Sequence, residues 1–516
     1  MIGNLHDYQI EARDFAISHP KCGLFLDLGL GKTLVALSVL EQVYTKETGH
    51  ILIVAPKSIA KATWAGEIKK WGINIPFSSF IVNEKGKALS KKKRLEAYQA
   101  AINNPVRTIY FINRELLADL IENCPVIGKN FLWVFQTIVI DELQSFKSSS
   151  SQRFKALKRV MPAVNRFIGL TGTPTPNGIE DIWSQIFLMD NGDRLGKNIT
   201  AFRRAYMHPG YVNSMGVVCS WVPNDGVEPI IYDKIKDVVI SMKNTNLQLP
   251  PIAFIDDYVH MSDAEAKLYK RFVDSAVLEF ESGDVASAPN IAVMSNKLQQ
   301  LASGAIYTID ENGNPTGNYE IIHKQKLERL KYIRDNSDDN LLVAYYFNSD
   351  ADMIMKYCQE NDIQCEVFNS SKADEILSRW NDNKIPMLLI QPASAGFGLN
   401  FQYASHTLIW YTMSFNLEHY LQTIGRLYRQ GQNHTVYVHR LMTYKTIDSK
   451  ILKAIINKDQ NMQALLDAVE YSPDQNQSLA SFAEALSLAG FSAGKLTEKD
   501  KTDVIYSAVQ DASTED

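Results

Sequence analysis

Short, nearly continuous apolar runs that alternate with amphipathic stretches limit most strongly how this chain can fold. The runs occupy residues 23–28, 50–56, 107–113, 137–141 and 166–172, and then residues 340–346, 365–369, 386–392 and 406–411. Apolar runs of this length are typical of strands buried on both faces, and helical stretches between them favour a parallel sheet. The sequence therefore predicts two α/β units.

Composition narrows the class of protein further. Of 516 residues, 45% are hydrophobic and 22% are charged, as in a globular protein with several cores. No apolar run approaches the roughly 18 residues of a membrane span and no signal peptide is evident, so we expect a soluble, cytoplasmic protein without membrane contact. The five cysteines form no C-x-x-C pair and predict neither a zinc site nor disulfides. The net charge of −5 gives no sign of a nucleic-acid partner, which must be argued from local sites.

The alternation of runs also predicts domain boundaries. We expect residues 1–245 to form the first α/β domain with the start of an insertion, and residues 316–470 to form the second α/β domain. Between them, residues 246–315 are predicted to be a helical insertion, because the alternation is lost there. Residues 471–516 are predicted to hold one amphipathic helix, at 478–488, and an acidic tail.

The segment from Leu26 to Thr33, LDLGLGKT, lies between an apolar run and a helical stretch, as a phosphate-binding loop does. Gly29 and Gly31 let backbone N–H groups turn toward an anion, Lys32 supplies charge to the β- and γ-phosphates, and the Thr33 hydroxyl can bind Mg²⁺. Leu26 stands where the strict pattern has its first glycine. This segment alone is also consistent with the alternative of a helix-starting turn that binds no ligand.

Two acids are adjacent at the end of the apolar run TIVID: Asp141 is its last residue, and Glu142 follows directly. They are expected at the carboxyl end of a parallel strand, where ligands gather, and two carboxylates there are costly without a cation. We therefore expect Asp141 to hold Mg²⁺ and Glu142 to polarise the attacking water of nucleotide hydrolysis. A helix N-terminus, which also attracts acids, is the weaker explanation.

With further motifs, the chain resembles the superfamily-two helicases with two RecA-like domains, and within them the Swi/Snf-like DNA-translocating ATPases, over most of residues 1–470. The motifs are Leu5–Gln9 (Q motif), Leu26–Thr33 (I), Ile53–Pro56 (Ia), Asp141–Gln144 (II), Leu170–Pro174 (III), Ser394–Asn400 (V) and Gln422–Gln432 (VI). The string at motif VI, QTIGRLYRQGQ, is the most specific signal. The chain departs from the family at His6 and Gln144, where Arg and His are usual.

The resemblance implies an α/β fold of two RecA-like parallel-sheet domains with nucleotide at the interdomain cleft, plus Swi/Snf-type helical insertions. It implies the cofactors ATP and Mg²⁺, with Thr33 and Asp141 as metal ligands and Gln9 on the adenine. The implied nucleotide-binding residues are Gln9, Leu28, Gly29, Leu30, Gly31, Lys32, Thr33, Gly398, Arg426 and Arg429, and the implied catalytic residues are Lys32, Asp141, Glu142, Arg426 and Arg429.

The two arginines of motif VI lie three residues apart. On a helix, both would project from one face toward a γ-phosphate that the opposite domain presents, and Arg429 is the expected arginine finger. A pair of arginines on a solvated helix face is the alternative.

The resemblance further implies an ATP-dependent translocase on double-stranded DNA, a monomer that opens and closes its cleft. We expect DNA contacts mostly to phosphates, from the motifs around Lys57, Thr173 and Ser394, and replication or recombination proteins are candidate partners. The rival functions are a strand-separating DNA or RNA helicase, a nucleic-acid packaging ATPase and a non-catalytic scaffold.

Two weaker features are expected to be structural. The basic residues Lys85, Lys87 and 91–94 could contact DNA, but a solvated, helix-starting charge run explains them better. The tryptophans Trp64, Trp71, Trp183 and Trp380 lie in amphipathic or apolar surroundings that indicate core positions.

Overall fold

The computed structural model of this chain describes residues 5–57, 59–83, 86–127, 130–210, 212, 216–243, 249–281, 288–309, 315–393 and 399–468. Residues 1–470 make up one compact unit, to which everything described below belongs. The remaining 471–516, with the helix predicted at 478–488 and the acidic tail, lie outside the described residues.

The helices are α1 Asp7–Ser18, α2 Lys32–Val43, α3 Trp64–Lys70, α4 Lys91–Asn103, α5 Arg114–Glu122, α6 Gln152–Val160, α7 Asp181–Asp190, α8 Ile199–Tyr206, α9 Val227–Ile235, α10 Asp263–Glu281, α11 Ala288–Ser303, α12 Gln325–Asp335, α13 Asn348–Glu360, α14 Ala373–Asn381, α15 Leu417–Ile424 and α16 Ile447–Ala468. The strands are β1 Lys21–Leu26, β2 His50–Ala55, β3 Phe77–Ser79, β4 Ile109–Asn113, β5 Val126–Ile127, β6 Asn130–Phe131, β7 Phe135–Asp141, β8 Arg166–Thr171, β9 Met207–Pro209, β10 Trp221–Pro223, β11 Val239–Met242, β12 Ile252–Val259, β13 Ala305–Ile309, β14 Pro315–Ile321, β15 Leu341–Ala344, β16 Cys365–Val367, β17 Met387–Ile390, β18 Thr407–Trp410 and β19 Val436–Thr443.

A seven-stranded parallel sheet with the order β11-β1-β8-β7-β2-β4-β3 forms the centre of the first lobe. Alternate residues of β2 enter two different cores, with Ile51 and Ile53 in one and Leu52 and Val54 in the other. Both faces of the sheet are therefore covered, which is why its strands are continuous apolar runs.

A six-stranded parallel sheet with the order β12-β19-β18-β15-β17-β16 forms the centre of the second lobe. Its strand β15 repeats the alternation, since Leu341 and Val343 face one core and Leu342 and Ala344 face the other. Antiparallel pairs β5–β6, β9–β10 and β13–β14 lie outside the two large sheets. The predicted fold of two parallel-sheet α/β domains is confirmed.

Each predicted apolar run coincides with a strand, but the segment expected as a helical insertion differs from the prediction. Residues 246–315 contain α10 and α11 and also β12, which pairs with β19 along its whole length as the edge strand of the second sheet. An edge strand is half exposed, and Asp256 and Asp257 interrupt its apolar residues. The sequence of β12 therefore lacks the continuous apolar pattern of the central strands.

The strand order brings the predicted motifs together at one edge of the first sheet. Strands β1, β8 and β7 are neighbours, so the loops that follow Leu26, Thr171 and Asp141 meet at their carboxyl ends. Motifs I, III and II belong to these three loops. Across the described part of the chain, no helix has the length and apolar character to cross a bilayer.

Candidate nucleotide site and interlobe cleft

The phosphate loop connects β1 to α2 through two glycines in the left-handed region. Gly29 has φ +89° and Gly31, the N-cap of α2, has φ +75°, conformations that side chains rarely adopt. The Lys32 ammonium donates to the carbonyl oxygens of Leu26 at 2.9 Å and Asp27 at 3.2 Å. The loop therefore places the Lys32 ammonium at the N-terminus of α2, and this geometry binds phosphate.

Gln9, on α1, lies against this loop and is almost fully buried. Its Nε2 donates to the Leu30 carbonyl oxygen at 3.1 Å, and its Oε1 accepts from the backbone N–H of His6 at 3.1 Å. Gly31 leaves the space for this amide, because a Cβ there would lie 2.6 Å from the Gln9 Nε2. The Q motif and the phosphate loop are thus in direct contact.

The acids Asp141 and Glu142 are 6% and 7% exposed at the end of β7. Burial and the charge of Glu142 raise the pKa of Asp141, and burial raises the pKa of Glu142 against the opposing charge of Lys32. The Trp64 indole donates to Asp141 Oδ2 at 3.1 Å. The positive charge near the two carboxyl groups is therefore too small to offset their burial. A bound cation would supply the missing charge.

Glu142 also carries local strain, since its backbone φ is +60°. A residue other than glycine in this region costs on the order of 1–3 kcal/mol, and such residues cluster at functional sites. The conformation aims the side chain toward Gln144, whose Nε2 donates to Glu142 Oε2 at 2.6 Å.

Gln144 connects motif II to motif III and to the second lobe. Its Oε1 accepts from the Thr171 hydroxyl at 2.7 Å, and its Nε2 also donates to Glu418 Oε1 at 3.1 Å. Gln144 itself is fully buried. Glutamine at the position where the family usually has histidine therefore retains contact with motif III.

The arginines of motif VI do not lie on a helix, contrary to the prediction. Helix α15 ends at Ile424, and Arg426 and Arg429 follow on consecutive turns that lead to Gly431 with φ +96°. Three-residue spacing therefore does not align the two side chains, because the helical period that would align them has ended.

Of these two arginines, the structure brings Arg426 to the acids. Burial and Arg429 lower the pKa of Arg426 to about 10, while the charge of Glu142 opposes this shift. Its Nη1 donates to the Leu399 carbonyl oxygen at 3.4 Å. Arg429 is half-buried; burial lowers its pKa, and the phenol of Tyr403 opposes that shift.

The lobes touch beside the phosphate loop. A Cβ on Gly425, which follows α15, would lie 3.0 Å from Leu28 Cδ1 of the first lobe. Together with the bond from Gln144 to Glu418, this contact closes the cleft around the acids. The nucleotide motifs of the first lobe and motif VI of the second lobe thus face each other.

A cavity of about 260 Å³ continues the cleft beyond Gln144. We call it the basic cavity; it is lined by Arg114, Gln144, Ser145, Lys147, Ser148, Arg153, Ile390, Pro392, Ala393, Glu418, His419, Gln422, Thr423 and Arg426. Burial and then the charge of Arg114 lower the pKa of Arg153, and burial followed by Lys147 and Arg114 lowers the pKa of His419. Positive charges thus crowd together there, as they do where an anion binds.

Two sequence models match the chain. That of the SNF2-related domain matches residues 8–304, more than half of the 516 residues, and that of the helicase conserved C-terminal domain matches residues 325–431. The chain belongs to the SNF2-related family. This SNF2-related chain is accordingly an ATP hydrolase of helicase superfamily two, and ATP is its nucleotide.

Of the relatives named here, one is similar in length to this SNF2-related chain and two are much longer. The putative protein p41 of Acyrthosiphon pisum secondary endosymbiont phage 1 is 28% identical over 87% of this chain and 95% of its own length. An ISWI chromatin-remodeling complex ATPase of Saccharomyces cerevisiae is 24% identical over 94% of this chain, and an uncharacterized ATP-dependent helicase of Mycoplasma genitalium is 24% identical over 90%. The chain spans 42% of the length of each of these two proteins.

Among solved structures, the Sulfolobus solfataricus SWI2/SNF2 ATPase core in complex with dsDNA is similar. It shares 20% identity and covers 92% of this chain and 98% of its own, with a TM-score of 0.39.

Several predicted site residues of the SNF2-related chain lie elsewhere than expected or outside the described residues. Gly398 and Ser394, both of motif V, fall outside the described residues. Thr173 was expected on DNA, but it is 2% exposed, and its N–H donates to the Thr171 hydroxyl at 3.0 Å. Lys57 is exposed after β2, and Thr33 lies in the first turn of α2.

The remaining predictions concerned structural residues. Trp64, Trp183 and Trp380 are core residues as predicted, whereas Trp71 is half-buried. The basic run starts α4 as expected, with Ser90 as N-cap, and Lys91 pairs with Asp119 at 2.9 Å. Lys85 lies outside the described residues.

The sequence motifs did not indicate Trp64 as a partner of Asp141. They also did not indicate Glu418 or three of the cations that line the basic cavity, Arg114, Lys147 and Arg153. Arg114 directly follows β4, so the rule that ligands gather at carboxyl ends of parallel strands would have pointed to it. Glu418 lies four residues before Gln422, whose Nε2 donates to its Oε1 at 3.3 Å, but motif VI gave no reason to look there.

Proposed function

We propose that this chain is an ATP-dependent translocase on double-stranded DNA, which hydrolyses ATP between its lobes and tracks along the phosphates of the duplex. The proposal rests on three residues that the basic cavity shares with the surroundings of Glu142. Gln144, Glu418 and Arg426 line the basic cavity, and the same residues bond to or interact electrostatically with Glu142. A polyanion in the cavity would be one side chain away from the hydrolytic centre.

The nucleotide is assigned to the first lobe. Backbone N–H groups of residues 28–31 and the Lys32 ammonium bind the phosphates at the N-terminus of α2. Gln9 binds the adenine, for which it exchanges its bond to the Leu30 carbonyl. Its position beside Gly31 supports this role.

The donor set fits Mg²⁺, which binds hydroxyl and carboxylate oxygens such as those of Thr33 and Asp141. The raised pKa of the buried Asp141 carboxyl supports a nearby cation. Within the described ranges, no three His, Cys, Asp or Glu side chains are grouped to hold a metal ion, so phosphate and water would supply the other ligands. When bound, Mg²⁺ neutralises phosphate charge.

Hydrolysis needs a group from each lobe. Glu142 polarises the attacking water, and Gln144 holds one oxygen of its carboxylate. Arg426 comes from the second lobe and interacts electrostatically with Glu142 and Arg429, so it stabilises charge on the transferred phosphoryl group. Because the two lobes must meet for both groups to act, hydrolysis follows lobe closure.

DNA is assigned to the basic cavity and its mouth. Arg114, Lys147 and Arg153 bring positive charge from three segments of the first lobe to α15 of the second lobe. Phosphate contacts carry no sequence information, which suits a motor that must step along any sequence. A local cluster also explains how a chain with net charge −5 can bind a polyanion.

We keep the division into lobes at residue 245 and extend the second lobe to include β12. The chain works as a monomer in this proposal, and replication or recombination proteins are its candidate partners.

The test compares steady-state ATP hydrolysis without polymer and with single-stranded DNA, double-stranded DNA or RNA. We expect the largest stimulation with double-stranded DNA. Arg153→Gln should raise the duplex concentration needed for half-maximal stimulation roughly three- to tenfold and reduce the salt slope of binding by about 1. Lys155→Gln is the matched control, because it removes one charge from the exposed side of the same helix α6.

Equal stimulation by RNA would favour the general helicase. An unchanged duplex requirement in the Arg153 variant would remove the basic cavity from the DNA path.

A further inference from the structure

The side-chain amide of Gln144 is shared between the two lobes. One Nε2 serves two carboxylates, Glu142 Oε2 at 2.6 Å and Glu418 Oε1 at 3.1 Å. The Oε1 accepts from the Thr171 hydroxyl. Both N–H groups of the amide are therefore used on acids, one in each lobe.

The chemistry of the amide explains why glutamine suits this position. A neutral imidazole has a single N–H donor, so a neutral histidine could serve one carboxylate and not both. A glutamine side chain donates twice without taking up a proton. The residue at 144 and the acid at 418 are thus matched in hydrogen-bonding capacity.

Glu418 lies in the second lobe on α15, where it also accepts from Gln422 at 3.3 Å and lines the basic cavity. Its bond to Gln144 spans the cleft, so it forms only when the lobes are together. Glu418 has no contact with the phosphate loop among the hydrogen bonds of the described residues. Apart from the direct effect of its charge on Glu142, its influence on hydrolysis passes through Gln144.

We propose that Glu418 is a positioning residue that, through Gln144, fixes the Glu142 carboxylate for hydrolysis when the lobes close. With the lobes apart, the Gln144 amide loses one of its two acceptors and is free to rotate away from Glu142. The inference rests on the proposed role of Glu142 as the group that polarises water. It makes the cleft contact part of the switch between binding and hydrolysis.

The test is a double-mutant cycle on kcat in the full chain, with Glu418→Ala, Gln144→Ala and the double variant. Each single change should lower kcat roughly 10- to 100-fold, the range of a hydrogen bond to a charged group, and leave KM for ATP within about twofold. The double variant should be no slower than the slower single variant, because both changes break one chain of contacts. Glu375→Ala, at an exposed position on α14 of the same lobe, is the matched control.

Glu418→Gln keeps an oxygen that accepts from Gln144 and should retain kcat within about fivefold of the parent. This variant also guards against a folding defect, since it preserves size and one acceptor. Multiplicative losses in the double variant, or a change confined to KM, would overturn the proposal. The cycle is measured with and without duplex DNA so that the two proposals are tested separately. If duplex DNA does not stimulate the parent chain, the proposed translocase function is wrong. The positioning role of Glu418 is tested only by the kcat values of the cycle.

Discussion

Replacing Arg426 separates the arginine finger that we propose, Arg426, from Arg429, the finger expected from motif VI. In Arg426→Ala, the cleft loses the cation that faces Glu142, while Lys32 and the phosphate loop stay in place. Nucleotide affinity should therefore change little. Turnover should fall strongly, because a finger acts on charge that develops in the transition state.

The size of the effect follows from the state of the guanidinium. Burial lowers its pKa to about 10, so at pH 7.5 the charged form still exceeds the neutral form by about 300 to 1. The full charge is thus lost in the alanine variant. Arginine fingers contribute roughly 10³ to 10⁵ in turnover, or about 4–7 kcal/mol.

The assay is single-turnover hydrolysis beside equilibrium binding of ATP, for Arg426→Ala, Arg429→Ala and Arg426→Lys. We expect Arg429→Ala to lose about tenfold or less, since its charge lies beside Tyr403. Arg426→Lys should recover little, because lysine lacks the planar fork and burial lowers the pKa of its ammonium as well. Parental turnover in Arg426→Ala with a severe loss in Arg429→Ala would refute the assignment.

Three further changes test other parts of the site. Gly425→Ala should slow turnover, because the new Cβ would lie 3.0 Å from Leu28 Cδ1. Adding Leu28→Ala should restore turnover, and additive losses in the double variant would contradict this contact. Trp64→Phe removes the indole bond to Asp141 and should raise the Mg²⁺ concentration for half-maximal hydrolysis about tenfold; an unchanged Mg²⁺ requirement would remove Asp141 as a ligand. Glu142→Gln should bind ATP at parental affinity and not hydrolyse it, and parental turnover would place the catalytic base elsewhere.

The central strands could be predicted from sequence because burial on both faces leaves a direct mark. Strand β2 is buried throughout, and after His50 it is a continuous run of apolar residues that needs no context to interpret. Strand β12 could not be found this way, since as an edge strand it carries Asp256 and Asp257 among its apolar residues. Its place in the second sheet depends on pairing with β19, far along the chain.

The candidate site shows the same division. Motif I could be located because its glycine-containing loop joins a strand to a helix, and motif II because two acids follow a buried strand. Both signals are local in sequence. The contact of Gln144 with Glu418 joins positions 274 residues apart, so no local pattern contains it. The end of α15 at Ile424, before both arginines, depends on how the turns that follow it pack and not on the spacing of the motif.

Displacement of a triplex-forming strand measures translocation along an intact duplex directly. A third strand bound in the major groove of a blunt duplex is released by a motor that moves along the duplex without separating it. We expect ATP-dependent release by the parent chain, no release by Glu142→Gln, and no strand separation on a tailed duplex. Strand separation on the tailed duplex, without release of the third strand, would contradict this expectation.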